Sequence, residues 1–311
     1  MPDLRRGVLY GVTAYILWGL FPLYWPLLKP AGAVEILAHR MVWSLAAVLG
    51  VLAVRRHWSW CRTILRRPRR LLLLTAAAAL ISLNWGVYIY AVNTGHVVEG
   101  ALGYFINPLV SVLFGVVLLR ERLRRPQWAA VGLGAVAVVI LTVDYGRPPW
   151  MALTLAVSFA TYGLVKKTAG MDAAASLAVE TLVMLLPALG YLGLLEAQGT
   201  AAFGREGLGH ALLLAGSGVV TAVPLLFFGA AAVRVPLTVV GLLQYITPVL
   251  QFLCGVLIAR ETMPPGRWAG FAVVWLALTV FSWDAVRHAR TASRAPEPAP
   301  VPETPAGDKD R

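Results

Sequence analysis

Side chains that could bind a solute or carry a proton lie inside long apolar runs of this 311-residue sequence. Glu35, His39 and Arg40 open one run in the string EILAHRMVW. Glu35 and His39 are four apart, share a helical face and can pair, whereas Arg40 points roughly 100° away from His39. Near a run's end such groups can also snorkel to the interface. Asn84, Trp85 and Tyr88 follow in the third run, Glu99, Tyr104 and Asn107 in the fourth, and Gln244, Tyr245 and Thr247 in the ninth. Amide and hydroxyl groups can hold a polar solute without the cost of a buried charge, and they equally serve to join helices. Glu180 is an acid well inside its run; an intramembrane carboxylate is a candidate proton site or a partner for a basic residue.

The elements that must position these groups are transmembrane helices. Charged residues make up 14% of the chain and hydrophobic residues 59%, with a mean hydropathy of +0.71. A soluble domain carries about a quarter charged residues, so this chain cannot cover itself with a water-facing surface. Runs of about 20 apolar residues cross a bilayer as helices. Ten such runs are expected: Gly7–Leu28, Glu35–Val54, Leu71–Val92, Val97–Leu119, Gln127–Val143, Pro149–Val165, Ala173–Leu195, Leu208–Val233, Leu237–Ala259 and Arg267–Trp283. The first run is too long for the apolar core of a signal peptide and reads as an uncleaved helix.

An even number of spans puts both termini on one side. With the N-terminus inside, 21 of the 27 Lys and Arg residues lie in cytoplasmic segments and five outside, Arg40 being within a helix. Basic residues are retained on the cytoplasmic side, so both termini are expected there. The net charge of +12 therefore does not point to nucleic acid. Its densest part, RRHWSWCRTILRRPRR at 55–70, is expected to be a cytoplasmic loop touching anionic lipid headgroups. Cys61 and Cys254, the two cysteines, fall in that loop and in an apolar run, so neither a disulfide nor a metal site is indicated. Residues 286–311 are rich in proline and charge and read as a disordered cytoplasmic tail.

Shifted by 140 positions, the sequence meets itself. LGYFINPLVSVLFGVVLLRERLRRPQWA (102–129) lies ungapped over LLQYITPVLQFLCGVLIARETMPPGRWA (242–269), with ten of 28 positions identical. Apolar bias alone would match Leu and Val; it would not match Pro108 with Pro248, Arg120-Glu121 with Arg260-Glu261, or Trp128 with Trp268. The expected domains are a five-helix repeat over 1–146 and a second over 147–285. Five is odd, so the second repeat enters the membrane upside down, an architecture of secondary transporters with the site near the midplane. Pro108 and Pro248 each remove one backbone hydrogen bond mid-helix, as a static kink or as one of a pair of hinges.

No GxxxxGK[ST] phosphate loop, HExxH or Cys/His cluster is present, so no cofactor, metal or ATP-driven chemistry is indicated. Gly216-Ser217-Gly218 lacks a deep His to act as its base, which weighs against an intramembrane hydrolase; a non-transporting sensor or assembly factor is the other rival. Gly7/Gly11 and Gly266/Gly270 could join two copies in a homodimer or pack within one bundle.

The strings AYILWGLFPLYW (14–25), EILAHRMVWS (35–44), LNWGVYIYAVN (83–93), EGALGYFINPL (99–109), TAVPLLFFGAAA (221–232) and GLLQYITPVLQF (241–252) resemble RarD-type proteins. These form a branch of the EamA-like drug/metabolite transporter superfamily. The resemblance spans nearly the whole chain except the tail. It implies an all-α integral membrane fold of ten helices in two inverted repeats, a bacterial inner-membrane location, and permeation or export of small metabolites or drugs. The expected mechanism is alternating access, with helices three, four, eight and nine lining the pathway.

Overall fold

The structure, a computed structural model, describes residues 2–54, 68–120, 122–169 and 173–292. Most of the basic loop (55–67), Glu121 and the end of the tail (293–311) lie outside the described residues. The fold is all-helical. Helix α1 runs over Pro2–Gly19 and continues through a short turn, Phe21–Tyr24, and a 3-10 turn, Trp25–Leu28. Then come α2 (Ala33–Val54), α3 (Pro68–Asn93), α4 (Val97–Leu119), α5 (Arg125–Tyr145), α6 (Trp150–Ala169), α7 (Ala173–Ala197) and α8 (Gly207–Ala232). Helix α9 is in three pieces, Leu237–Leu243, Ile246–Leu253 and a π-turn at Cys254–Ile258. Helix α10 is Pro265–Ala292.

Among the described residues, nine helical spans are long and apolar enough to cross a bilayer; the apolar part of α6, Trp150–Lys166, is shorter. Large apolar side chains stay exposed on outward faces, Leu186 and Val143 at 78%, as expected where lipid replaces water. The reading of 286–311 as disordered needs correction. Residues 286–292 (VRHARTA) continue α10, because Arg287, Ala289, Arg290 and Ala292 are good helix formers that carry the helix past its last apolar turn.

Packing follows a pattern of exchange. Helix α5 packs on α10, α2 on α7, and α4 on α9. The remaining large contacts come in pairs, α1 on α8 with α3 on α6, α1 on α9 with α4 on α6, and α2 on α8 with α3 on α7. Swapping each helix with the one five places on maps this set onto itself. The repeat also shows in the backbone: Arg120 and Arg260, its equivalent positions, both adopt left-handed geometry, with φ of 55° and 52°. A side chain makes that conformation costly, about 1–2 kcal/mol, so its appearance at both positions marks a shared turn.

Small residues set the closest crossings. A Cβ on Gly218 would overlap the backbone of Trp43, so α2 and α8 touch main chain to main chain there. Gly7 and Gly11 face Val235 and Leu243, and Gly266 and Gly270 face Asp144 and Leu141. Both pairs are occupied by packing inside the bundle.

Ion pairs tie the helix ends. At one end Arg147 meets Glu99 at 2.8 Å and Arg267 meets Asp144 at 3.1 Å. At the other, Arg124 meets Asp284 at 2.5 Å, Arg234 meets Asp3 at 3.2 Å and Lys166 meets Glu180 at 2.6 Å.

Candidate functional site

Arg40 is the centre of the polar interior. It lies seven residues into α2, roughly 10 Å from the helix start at 1.5 Å per residue, and is 2% exposed. Its Nε donates to the Thr221 hydroxyl of α8 at 2.8 Å. Its guanidinium carbon lies 3.7 Å from the ring centre of Trp85, 5.1 Å from Trp25 and 5.6 Å from Phe21. Aromatic faces stabilise a desolvated cation by about 2 kcal/mol or more. Among the described residues no carboxylate pairs with Arg40, and Nη1 has no hydrogen-bond acceptor. A buried charge without a counter-charge costs several kcal/mol, and such a group inside a membrane bundle marks function first.

Two tyrosines complete this end of the interior. Tyr88 of α3 and Tyr104 of α4 stack edge to face at 5.4 Å, and both lie within the electrostatic reach of Arg40. Tyr88 is buried and its hydroxyl lacks a partner. The Tyr104 hydroxyl donates to Asn84 Oδ1 at 3.0 Å, while Asn84 Nδ2 donates to the Leu155 carbonyl at 2.9 Å and the Ser158 hydroxyl at 3.0 Å. Asn84 is thereby fully used in joining α3, α4 and α6. The buried oxygens of Asn107 in α4 and Gln251 in α9 also lack partners. Arg40, Tyr88, Asn107 and Gln251 sit between five and ten residues in from the same end of the bundle.

Other sequence candidates go elsewhere. The expected Glu35–His39 pair does not form: the Glu35 carboxylate accepts from the Ala202 backbone N–H at 2.7 Å. His39 instead stacks on Phe203 at 4.7 Å, with neither ring nitrogen bonded. The α7–α8 connection folds over α2, and a backbone donor there outcompetes a neighbouring imidazole. Glu99 holds Arg147 and accepts from the Met151 N–H at 3.1 Å, fixing the start of α6. Glu180 lies at the opposite end, bound by Lys166, by Ser176 at 2.8 Å and by the Tyr162 hydroxyl at 3.1 Å. Thr247 donates to the Tyr15 carbonyl of α1 at 2.8 Å. Tyr245 lines an open groove between α4, α9 and α10 with Phe105, Trp275 and Ser282.

The two prolines are not equivalent in structure. Helix α4 runs unbroken through Pro108, but α9 breaks at Gln244–Tyr245, where the N–H absent from Pro248 would have reached the carbonyl four residues back. Beyond that break, Glu261 closes the same end of the bundle. Its carboxylate accepts from the N–H groups of Val97 and Val98, the latter at 3.1 Å, and so caps the start of α4. Burial raises the Glu261 pKa above its ordinary value, and the two backbone bonds pull it partly back.

Trp25, Phe21, Thr221 and Gln251 escaped sequence reading. The aromatic density of α1 in LWGLFPLYW was the available signal for the first two; Thr221 had none, being 181 positions from Arg40.

A family model described as the EamA-like transporter family matches this chain twice, at residues 5–143 and 148–283. The chain is 62% identical to Protein RarD of Streptomyces exfoliatus, covering 96% of this chain and 95% of that protein. It is 43% identical to the uncharacterized transporter YojE of Bacillus subtilis, over 93% and 97%. A crystal structure 19% identical in sequence aligns over 88% of this chain and 96% of that one, with a TM-score of 0.59, which speaks to the fold alone.

Proposed function

The chain belongs to the EamA-like transporter family and is a membrane transporter of the drug/metabolite superfamily, and from that premise we propose that it is a secondary-active permease for small metabolites or drugs working by alternating access. The carrying observation is the unlike geometry of like elements. Residues 102–129 and 242–269 are repeats, yet α4 is continuous where α9 is broken, and Glu261 latches α9 to α4 at one end. Two inverted repeats that differ in conformation define one access state, and exchanging the two conformations defines the other. The repeats are 1–146 and 147–285, opposite in orientation, with both termini cytoplasmic in the inner membrane. On that orientation the Glu261 latch is external.

The interior supports binding of a polar solute. Arg40, Tyr88, Asn107 and Gln251 offer unpaired donors and acceptors at one level of the bundle, beside Trp85 and Tyr104. Asn84, Glu99 and Thr247 act as joints between helices. Glu180, held by Lys166, is a joint at the cytoplasmic end rather than a coupling site. Counterflow in proteoliposomes tests the reading: purified protein preloaded with an unlabelled solute should accumulate its labelled form, across a panel of amino acids, organic acids and amphipathic drugs. Exchange no faster than in protein-free vesicles for every solute would overturn it.

A further inference from the structure

Among the described residues, Arg40 is a buried cation held by aromatic rings and a hydroxyl and by no anion. Its Nε is held by Thr221, and its planar face lies against Trp85 at 3.7 Å, so the guanidinium cannot rotate freely. Among the described residues its Nη1 has no acceptor, and the Tyr88 hydroxyl, also inside the reach of its charge, has no partner. The only acid nearby in sequence, Glu35, is committed to Ala202 on the far side of α2. A guanidinium presents its N–H groups as a rigid fork that fits a carboxylate with two parallel bonds. Lysine, a flexible point charge, would not need to be clamped in this way.

The walls add the second half of the specificity. Trp25 and Phe21 are buried against the cation, while Trp85, whose ring lies over it, and Tyr104 are partly exposed. Ring faces stabilise the empty site by holding the cation, and they would pack the apolar body of a ligand whose charged end reaches it. Resting on the permease reading, we infer that Arg40 is the carboxylate subsite of the transport pathway, and that the substrates are small monocarboxylates with a flat apolar or aromatic body. Tyr88 donates a further hydrogen bond to the same carboxylate. A free inorganic anion would satisfy the charge but would make no use of the neighbouring ring faces.

The test compares ligands of matched shape. In detergent, thermal stabilisation of the purified protein and of R40Q is measured with phenylacetate, phenylacetamide, phenethylamine, and sodium chloride at equal ionic strength. Native protein should favour phenylacetate over phenylacetamide by at least tenfold in apparent affinity, with no comparable effect of chloride. R40Q, which loses an unpaired buried charge, should melt no lower than native and should lose that preference. R40K should bind phenylacetate more weakly than native while keeping the order of preference, and it serves as the measurement if R40Q does not fold. Equal affinity for acid and amide, preference for the amine, stabilisation by chloride alone, or an undiminished preference in R40Q would each overturn the inference. Counterflow of non-carboxylate solutes in the same preparation separates the outcomes: if those exchange while no carboxylate does, the permease reading stands and the carboxylate subsite falls.

Discussion

Removing the Glu261 carboxylate should open the end of the bundle that it closes. In E261A the N–H groups of Val97 and Val98 lose their acceptor at a helix start that is almost fully buried, at 2% and 0% exposure. Each orphaned buried donor costs about 1–3 kcal/mol. Part of that is offset because a carboxylate no longer has to be buried, leaving about 2 kcal/mol in favour of the opened arrangement. At about 1.4 kcal/mol per factor of ten, the opened population rises roughly 30-fold. The native Cys254 reports it, since it is 5% exposed and its neighbour Gly255 packs against Val98. In a C61A background, an impermeant maleimide should modify Cys254 about 30 times faster in E261A than with Glu261 intact. The pH dependence has a definite sign. The Glu261 pKa is raised in the closed arrangement, so closing takes up protons: closure is favoured as pH falls through that raised pKa and weakened as pH rises through it. A Cys254 labelling rate within threefold of native in a folded E261A protein would refute the latch.

Three further outcomes follow from the packing. G218A should lower the melting temperature and weaken the Arg40–Thr221 bond, because the new methyl overlaps the Trp43 backbone and forces α2 from α8, at a cost of about 1–3 kcal/mol; a native melting curve would refute that crossing. E180Q and K166M should each destabilise by about 2 kcal/mol, discounted because Lys166 is 23% exposed, while the double variant recovers most of the loss; simple additivity of the two losses would show that the pair is not coupled. P248A supplies a donor for the Gln244 carbonyl and should close the break in α9, raising stability while slowing counterflow, whereas P108A in unbroken α4 should change both less; equal effects of the two would contradict the asymmetry.

Much of the scaffold was legible in the sequence because apolar run length reports directly on the bilayer. The internal repeat was legible through Pro, Arg-Glu and Trp matches, and the matching φ values of Arg120 and Arg260 are its structural counterpart. The partners of buried polar groups were not legible. In a bundle whose helices are apolar all round, periodicity does not say which face meets protein and which meets lipid. Glu35 and His39 share a face, yet a loop more than 160 positions away takes the carboxylate. Lys166 reads as loop charge but turns back into the bundle to hold Glu180. Asn84 reads as a solute ligand, and only the approach of α6 shows that all its hydrogen bonds are used. The break in α9 and the continuity of α4 follow from one state of the packing, and identical prolines in a repeat cannot signal it.

The central claim is that opening at the Glu261 end belongs to the transport cycle. Its most direct measurement is counterflow in protein carrying V97C and E261C in a background with both native cysteines replaced by alanine. Oxidation should join the two introduced cysteines where the carboxylate and the Val97 N–H meet, locking that end shut. Counterflow should stop on oxidation and return on reduction, with the fold unchanged throughout. Full counterflow with the disulfide quantitatively formed would contradict it.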